Sequence, residues 1–490
     1  MGGDWGEVKI LLIKTKQHMN TAILFDTMSI QSYVFGSNKL KDNLGASYII
    51  EHIYDYFTDN QSVEVGYIGG GNALYFTNSE TEAKGLIKDF TEYLIYQFPG
   101  VTLAVAIKSD FDHNSYVSEI KKLFELLAQN KGKHLPVNII SSHGITDICR
   151  YSSLSVEYID ERNELISSVT KTKRNYIEKI ELESDNLLVE AGLQTEYKFT
   201  NEIDKLRMKK GEDSHVAIVH IDGNGFGEIF RNLPSVEDTR EMSIRVKSVV
   251  KDSFIKVLQE YHNLKDKFSS ILQPVEPNDE EILPIRPIIL GGDDVTFVCH
   301  GKLGIWFAEQ YMEYFSAYFS DTDKPVSTCA GVVVVKAKFP FYRAYELAEE
   351  LCLSAKRARK RSGLSVGGNW IDFQLAYSGL GNSLEEIRNM QYDVFGFNRP
   401  YSTDKRATAN SFSELKRQTN LLKSTLPNSK IKDLRENLSV KNIVPDFMEQ
   451  LKCQHPDFKS SFFAQNNFSI DPFFDMIELL ELYPNNLLNE

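Results

Sequence analysis

The chain has 490 residues, 42% hydrophobic and 25% charged, with a formal net charge of −13. That length exceeds what one hydrophobic core serves, so two or three domains are expected, and the acidic balance excludes a generally basic nucleic-acid-binding surface. Five widely spaced cysteines (Cys149, Cys299, Cys329, Cys352, Cys453) form no CxxC pair, which fits a reducing cytosol and speaks against a zinc ribbon or a disulfide framework.

Residues 1–20 carry no assignable pattern, and the apolar run at 8–13 is too short for a signal core or a membrane span. A cytoplasmic protein with no membrane partner is expected. A short apolar strand at 21–25 ends in Asp26, and residues 31–57 place apolar side chains at helical spacing. A strand at 63–68, the turn Gly69-Gly70-Gly71-Asn72, a return strand at 73–77, a helix at 80–97 and a strand at 101–108 follow. This β-α-β-β-α-β order is that of a split unit, a four-stranded antiparallel sheet backed by two helices. Residues 110–214 read as mainly helical and polar, with a KGKHLP loop near Pro136. Within them the amphipathic stretch 161–188 is expected to link two halves.

From His215 the pattern recurs. A strand at 216–221 ends in Asp222, and Gly223-Asn224-Gly225-Phe226-Gly227 and a helix over 236–261 come next. An acidic, proline-containing insertion at 266–284 precedes a strand at 286–290, the turn Gly291-Gly292-Asp293-Asp294 and a return strand at 295–299. A helix at 305–319, a strand at 327–335 and a helix at 340–361 complete a second copy, an internal repeat of about one domain each. Beyond Gly363 the sequence predicts a short strand at 370–374, a turn at Arg399-Pro400-Tyr401 and a helical cap over 410–490. The asparagine-rich end at 485–490 is expected to fray. The fold class is α+β. Two ferredoxin-like domains are expected at 20–110 and 215–375, a mainly helical linker at 111–214 and a small helical C-terminal region at 376–490.

In such a sheet the first strand lies beside the central hairpin, which places Asp222 near Asp293 and Asp294. Three clustered carboxylates repel one another and call for a cation. Mg²⁺ (or Mn²⁺) ions there would align a nucleoside triphosphate and lower the pKa of an attacking ribose hydroxyl. Gly223, Gly225 and Gly227 permit close backbone approach, and the N–H groups of that loop suit phosphate oxygens. Taken singly, each motif is also a plain turn; their joint order on matching elements favours metal chemistry. Lys356, followed by Arg359 and Lys360, offers positive charge to phosphates, and a solvated helix end is the alternative for the last two. In the first copy Asp26 matches Asp222, and Gly69 and Gly70 match Gly291 and Gly292. Gly71 and Asn72 stand where Asp293 and Asp294 would. That tip either accepts a nucleotide or is only a tight turn.

The segments AILFDTMSIQSYVFGSNKLKDNLGAS, YIGGGNALYF, VAIVHIDGNGFG, LGGDDVTFV, TCAGVVVVKAKFPFYRAYELAEELCLSAK and FNRPYS occur in this order. Together they resemble the polymerase-like large subunit of type III CRISPR effector complexes, whose palm domains are related to GGDEF-type nucleotide cyclases. The resemblance implies two facing palms with ATP between them and Mg²⁺ on the second. It also implies synthesis of cyclic oligoadenylate, or a cyclic dinucleotide, as a second messenger in antiviral defence. Position by position it implies Asp222, Asp293 and Asp294 as metal-binding and catalytic carboxylates, Gly291 and Gly292 as the shaped tip, and Lys356 beside a phosphate. The loop Gly223, Asn224, Gly225, Phe226 and Gly227 would face the nucleotide, as would Ser37, Asn38, Lys39, Gly70, Gly71 and Asn72 of the first palm. No His-Asp nuclease dyad precedes the first copy and no cysteine-paired zinc site lies between the copies, which implies a compact member. Its partners would be CRISPR subunits with guide and target RNA, or it would act alone; the oligomeric state stays open. Two other readings fit the same residues: a non-catalytic scaffold subunit that binds nucleotides or RNA, and a GTP-using cyclase nearer the GGDEF enzymes.

Overall fold

The computed structural model describes residues 19–58, 60–133, 144–209, 214–275, 281–320, 326–362, 368–376, 383–392, 397–404, 410–438, 444–463 and 472–489. The apolar run at 8–13 and the KGKHLP loop beyond Lys133 lie outside them.

The first sheet is built from β1 (Thr21–Met28), β2 (Glu64–Gly69), β3 (Asn72–Thr77) and β4 (Thr102–Lys108), in the order β2-β3-β1-β4 with every neighbouring pair antiparallel. Strand periodicity splits β1 between two cores. Ile23 and Phe25 face one core with Phe57 and Phe90, while Ala22 and Leu24 face another with Ile120, Leu123 and Leu127. The helices that cover these faces are α1 (Ile30–Phe35), α2 (Leu40–His52), α3 (Glu80–Gln97) and α4 (Tyr116–Gly132). The single helix expected over 31–57 is thus two helices and a closing 3-10 turn, Ile53–Phe57, because the chain turns at Gly36 to Lys39.

Residues 158–166 form a small hairpin where the sequence reading placed helix, and only then do α5 (Ser168–Arg174) and α6 (Ile177–Ala191) follow. These helices bond to both halves. Arg174 Nε donates to Asp42 of the first repeat at 2.8 Å, and Arg286 of the second, fully buried, donates to Ser184 of α6 at 2.6 Å.

The second sheet repeats the order of the first with β5 (His215–Gly223), β6 (Ile285–Gly291), β7 (Asp294–His300) and β8 (Thr328–Lys336), as β6-β7-β5-β8. It has six strands rather than four. β9 (Trp370–Leu375) adds in parallel to β8, and β10 (Tyr401–Ser402) pairs with β9 where the sequence suggested a turn. The second-repeat helices are α7 (Phe226–Arg231), α8 (Val236–Asn263), α9 (Gly304–Ala317) and α10 (Phe341–Arg361). The repeat extends to irregularities. Both hairpins slip register at matching positions, between Val65 and Tyr67 and between Pro287 and Ile289. Thr27 N–H donates to the Gly71 carbonyl at 2.9 Å, and Gly223 N–H donates to the Asp293 carbonyl at 3.1 Å.

α11 (Leu384–Tyr392), α12 (Phe412–Thr425), α13 (Asn428–Leu438), α14 (Val444–Gln454), α15 (Pro456–Phe463) and α16 (Pro472–Leu482) form the helical C-terminal region. A buried ion pair, Arg399 to Asp475 at 2.7 Å, fastens β10 to α16. The expected fraying is corrected: Leu487 and Leu488 are buried in the main core, because apolar side chains sit between the asparagines and the terminus. Among the described residues no helix is long and apolar enough to cross a membrane.

Candidate active site

The two hairpin tips meet. Gly292 and Gly70 both have positive φ (62° and 60°), and a Cβ built on Gly292 would stand 3.0 Å from Gly70 Cα. Only glycine permits both the left-handed turn and this approach. Beside the contact lies a cavity of about 610 Å³ between the repeats, lined by Asp26, Gly69, Gly70, Gly71 and Lys131 from the first and by His220, Gly291, Gly292, Asp294 and Tyr345 from the second. The tips are held in place by the chain itself. Phe35 stacks on Tyr345 with ring centroids 3.7 Å apart, and Asn38 Oδ1 accepts the Phe341 N–H at the start of α10 at 2.9 Å.

The register brings the expected acids together along the backbone. Asp222 on β5 is the direct partner of Asp294 on β7, as Asp26 is of Asn72 in the first sheet. Asp294 is partly buried. Desolvation, then the charges of Asp293 and of Glu349 on α10, push its pKa up to about 7, and desolvation raises that of Asp293 as well. Asp222 departs from the expected cluster. Its carboxylate is ion-paired with Lys356, the ammonium that α10 extends towards it. Among the described residues no group of three or more His, Cys, Asp or Glu side chains stands in metal-holding geometry. Lys356 itself is pulled down to about 8 by burial and by the neighbouring Lys360. The first repeat has a parallel pair, Lys131 to Asp26 at 2.5 Å.

Several residues named from the sequence are placed elsewhere than the cavity. Ser37 is buried and donates to Asp42 at 2.8 Å, Asn38 caps α10, and Lys39 opens α2 at the surface. Asn224 donates to Ser327 at 3.1 Å and Phe226 packs against Phe315 and Phe319. Gly223 is needed for close packing, since a Cβ would meet the Phe226 ring at 2.5 Å. Gly225, with φ 87°, and Gly227 shape the entry to α7. Asn72 folds back on the Gly70 carbonyl at 3.3 Å.

Residues 215–365 match the family model described as Cas10/Cmr2, second palm domain. This segment belongs to the Cas10/Cmr2 palm-domain family. The fold of the whole chain is similar to the Csm1–Csm4 cassette solved in complex with cA4, at TM-score 0.52 and 14% identity over 96% of this chain and 70% of that one. The same holds for the cassette with pppApA (TM-score 0.52, 14% identity, 95% and 70% covered) and with pppApApA (0.51, 15%, 95% and 70%). A search of curated proteins finds no match.

The palm contributes two cavity-lining residues, His220 and Tyr345, and a charge beside Asp294, Glu349, that its motifs did not reveal. His220 lies two residues before Asp222 on β5, so strand periodicity sends both side chains to one face. Burial, then the charge of Lys356, lowers its pKa to about 4, and Thr296 Oγ1 lies 3.1 Å from its Nδ1. Tyr345 and Glu349 are one turn apart on α10, a spacing visible only once that helix is laid against the sheet.

Proposed function

We propose that the chain is a divalent-metal-dependent nucleotidyltransferase that binds ATP between the two tips and joins it into cyclic oligoadenylate. The observation that carries this reading is the asymmetry across one cavity, with the repelling acids Asp293 and Asp294 on one tip and an uncharged glycine tip opposite. The solved cassettes of similar fold hold cA4, pppApA and pppApApA, which supports an adenylate product. We read both repeats as ferredoxin-like palms, bounded near 20–110 and 215–375, joined by the linker at 111–214 and followed by the region 376–490. Csm4 accompanies the similar chain, which supports assembly with a partner subunit.

The acids fit a hard cation. Their oxygen donors match Mg²⁺ or Mn²⁺, and the upward pKa of Asp294 is what a neighbouring positive charge would reverse. Asp293 and Asp294 would hold the metal, with Asp222 across the strand pair. Bound there, it would neutralise phosphate charge and acidify the attacking ribose hydroxyl. The chain supplies the rest. Lys356 holds Asp222 and carries positive charge towards phosphate oxygens. The glycine tips bring backbone N–H groups close, and Tyr345, backed by Phe35, lines the cavity. His220 stays neutral at working pH, so it adds no charge behind the acids. No side chain is placed as a general base, and rate enhancement rests on alignment and charge.

Purified protein with labelled ATP and Mg²⁺ or Mn²⁺, alone and with target RNA and partner subunits, tests the reading. Ring-closed adenylate products are expected. Their absence under every condition, with ATP still bound, would leave a scaffold role; GTP outcompeting ATP would favour the cyclase alternative.

A further inference from the structure

β5 and β7 run away from the tips to His215 and His300 at their other ends. There, between the palm sheet and helices α13 and α16, lies a second cavity of about 560 Å³, within the size range of small-molecule sites. Lys302, Lys423, Lys432 and Arg435 line it, against a single acid, Glu481. Arg435 and Glu481 pair with each other at 2.7 Å, and the exposed Lys423 and Lys432 give the rim a positive character in a chain whose net charge is −13. Like charges gathered around one concavity raise its potential and favour an anion inside. Its floor is apolar, with Val334, Leu375 and Ile477 all buried, which suits the face of a base or sugar better than a bare ion. Along β7 the cavity is about 20 Å from Asp294 at strand rise, so a ligand held here is not the substrate at the tips.

We propose that this rear cavity binds a small phosphate-bearing anion of mononucleotide size. Lys423 and Lys432 are exposed at its rim and would take the phosphate, while the apolar floor takes the remainder. The proposal does not depend on the function assigned to the tips.

Calorimetric titration of AMP and of inorganic pyrophosphate into the full chain, and into Lys423→Glu/Lys432→Glu, tests it. Reversing two exposed charges leaves the core untouched. The expected result is saturable AMP binding that the double variant weakens about tenfold or more, while synthesis from ATP continues. AMP binding tighter than pyrophosphate identifies a nucleotide; equal affinity identifies phosphate alone, and both support the site. No binding by either probe, or equal affinity in the two proteins, overturns it. So does a single-stranded RNA whose binding the variant weakens while neither small anion binds. Absence of synthesis by the parent, with its AMP binding still weakened by the double variant, would count against the reading of the tips and leave this one standing.

Discussion

The two repeats share a four-strand frame down to its irregularities and part most sharply at their hairpin tips. Both sheets run in one strand order, both hairpins slip register at the same place, and both tips hang from the same backbone hydrogen bond. Where the second repeat has Asp293 and Asp294, the first has Gly71 and Asn72. Even the strand-end acids are treated alike, Asp26 held by Lys131 and Asp222 by Lys356. The difference between a tip suited to chemistry and a tip suited to holding therefore lies at these two positions, in charge and in backbone, since Gly71 is left-handed with φ 76° and Asp293 has no positive φ.

Removing the charge of the second tip is the strongest test. Asp293→Asn/Asp294→Asn is expected to lower product formation by about 10²- to 10³-fold, measured with labelled ATP, whereas Asp26→Asn keeps most of it. Similar losses from both variants would erase the proposed division of labour. A backbone test comes next. Gly292→Ala combines a left-handed φ with a clash against Gly70 and should cost about 1–3 kcal/mol. Gly70→Ala, with open space around the new Cβ, should cost only about 1 kcal/mol. Thermal or urea denaturation of the pair decides whether the tips press on each other.

Charge also makes the repeats differ in their response to pH. Asp294 titrates near 7 when folded, against about 4 for an unperturbed aspartate. The folded state therefore binds the extra proton between those values, and stability falls as pH rises through that window. Asp294→Asn, which imitates Asn72, should flatten the fall, so the variant gains on the parent between pH 5 and pH 8 in urea denaturation. Adding Mg²⁺ at pH 8 should raise the parent's midpoint and leave the double Asn variant unmoved. A parallel pH response in parent and variant would refute the burial assigned to this acid. The smallest effect is expected from Asn38→Ala, which removes the oxygen that the first repeat lends to the start of α10, at about 1 kcal/mol. Unchanged stability would show that this oxygen adds nothing to the alignment of the repeats.

The sequence made the architecture legible because repetition is visible without knowing any contact. The matching order of elements from Asp26 to the Gly69 turn and from Asp222 to the Gly291 turn defined two like units, and the strand adjacency of Asp222 and Asp294 followed. Side-chain direction was not legible. Ser37, Asn38 and Asn224 sit in loops, and Phe226 just after one, where a residue can face ligand or protein equally well, and here they face protein. Lys131 escaped notice because its partner Asp26 is far away in sequence, and the pairing depends on how α4 crosses the sheet. The sixfold strand count was hidden for the same reason, since a short strand shows no partner until β8 offers its edge.

The contact between α8 and β2 has one more consequence. β2 is an outer strand of its sheet, yet Arg240 and Ser243 of α8 donate to its Val65 and Ile68 carbonyls. An open strand margin is a template for intermolecular pairing, and natural proteins cover it or charge it. Here the cover comes from the other repeat, so the joint between the two halves also keeps the first from polymerising through its own backbone.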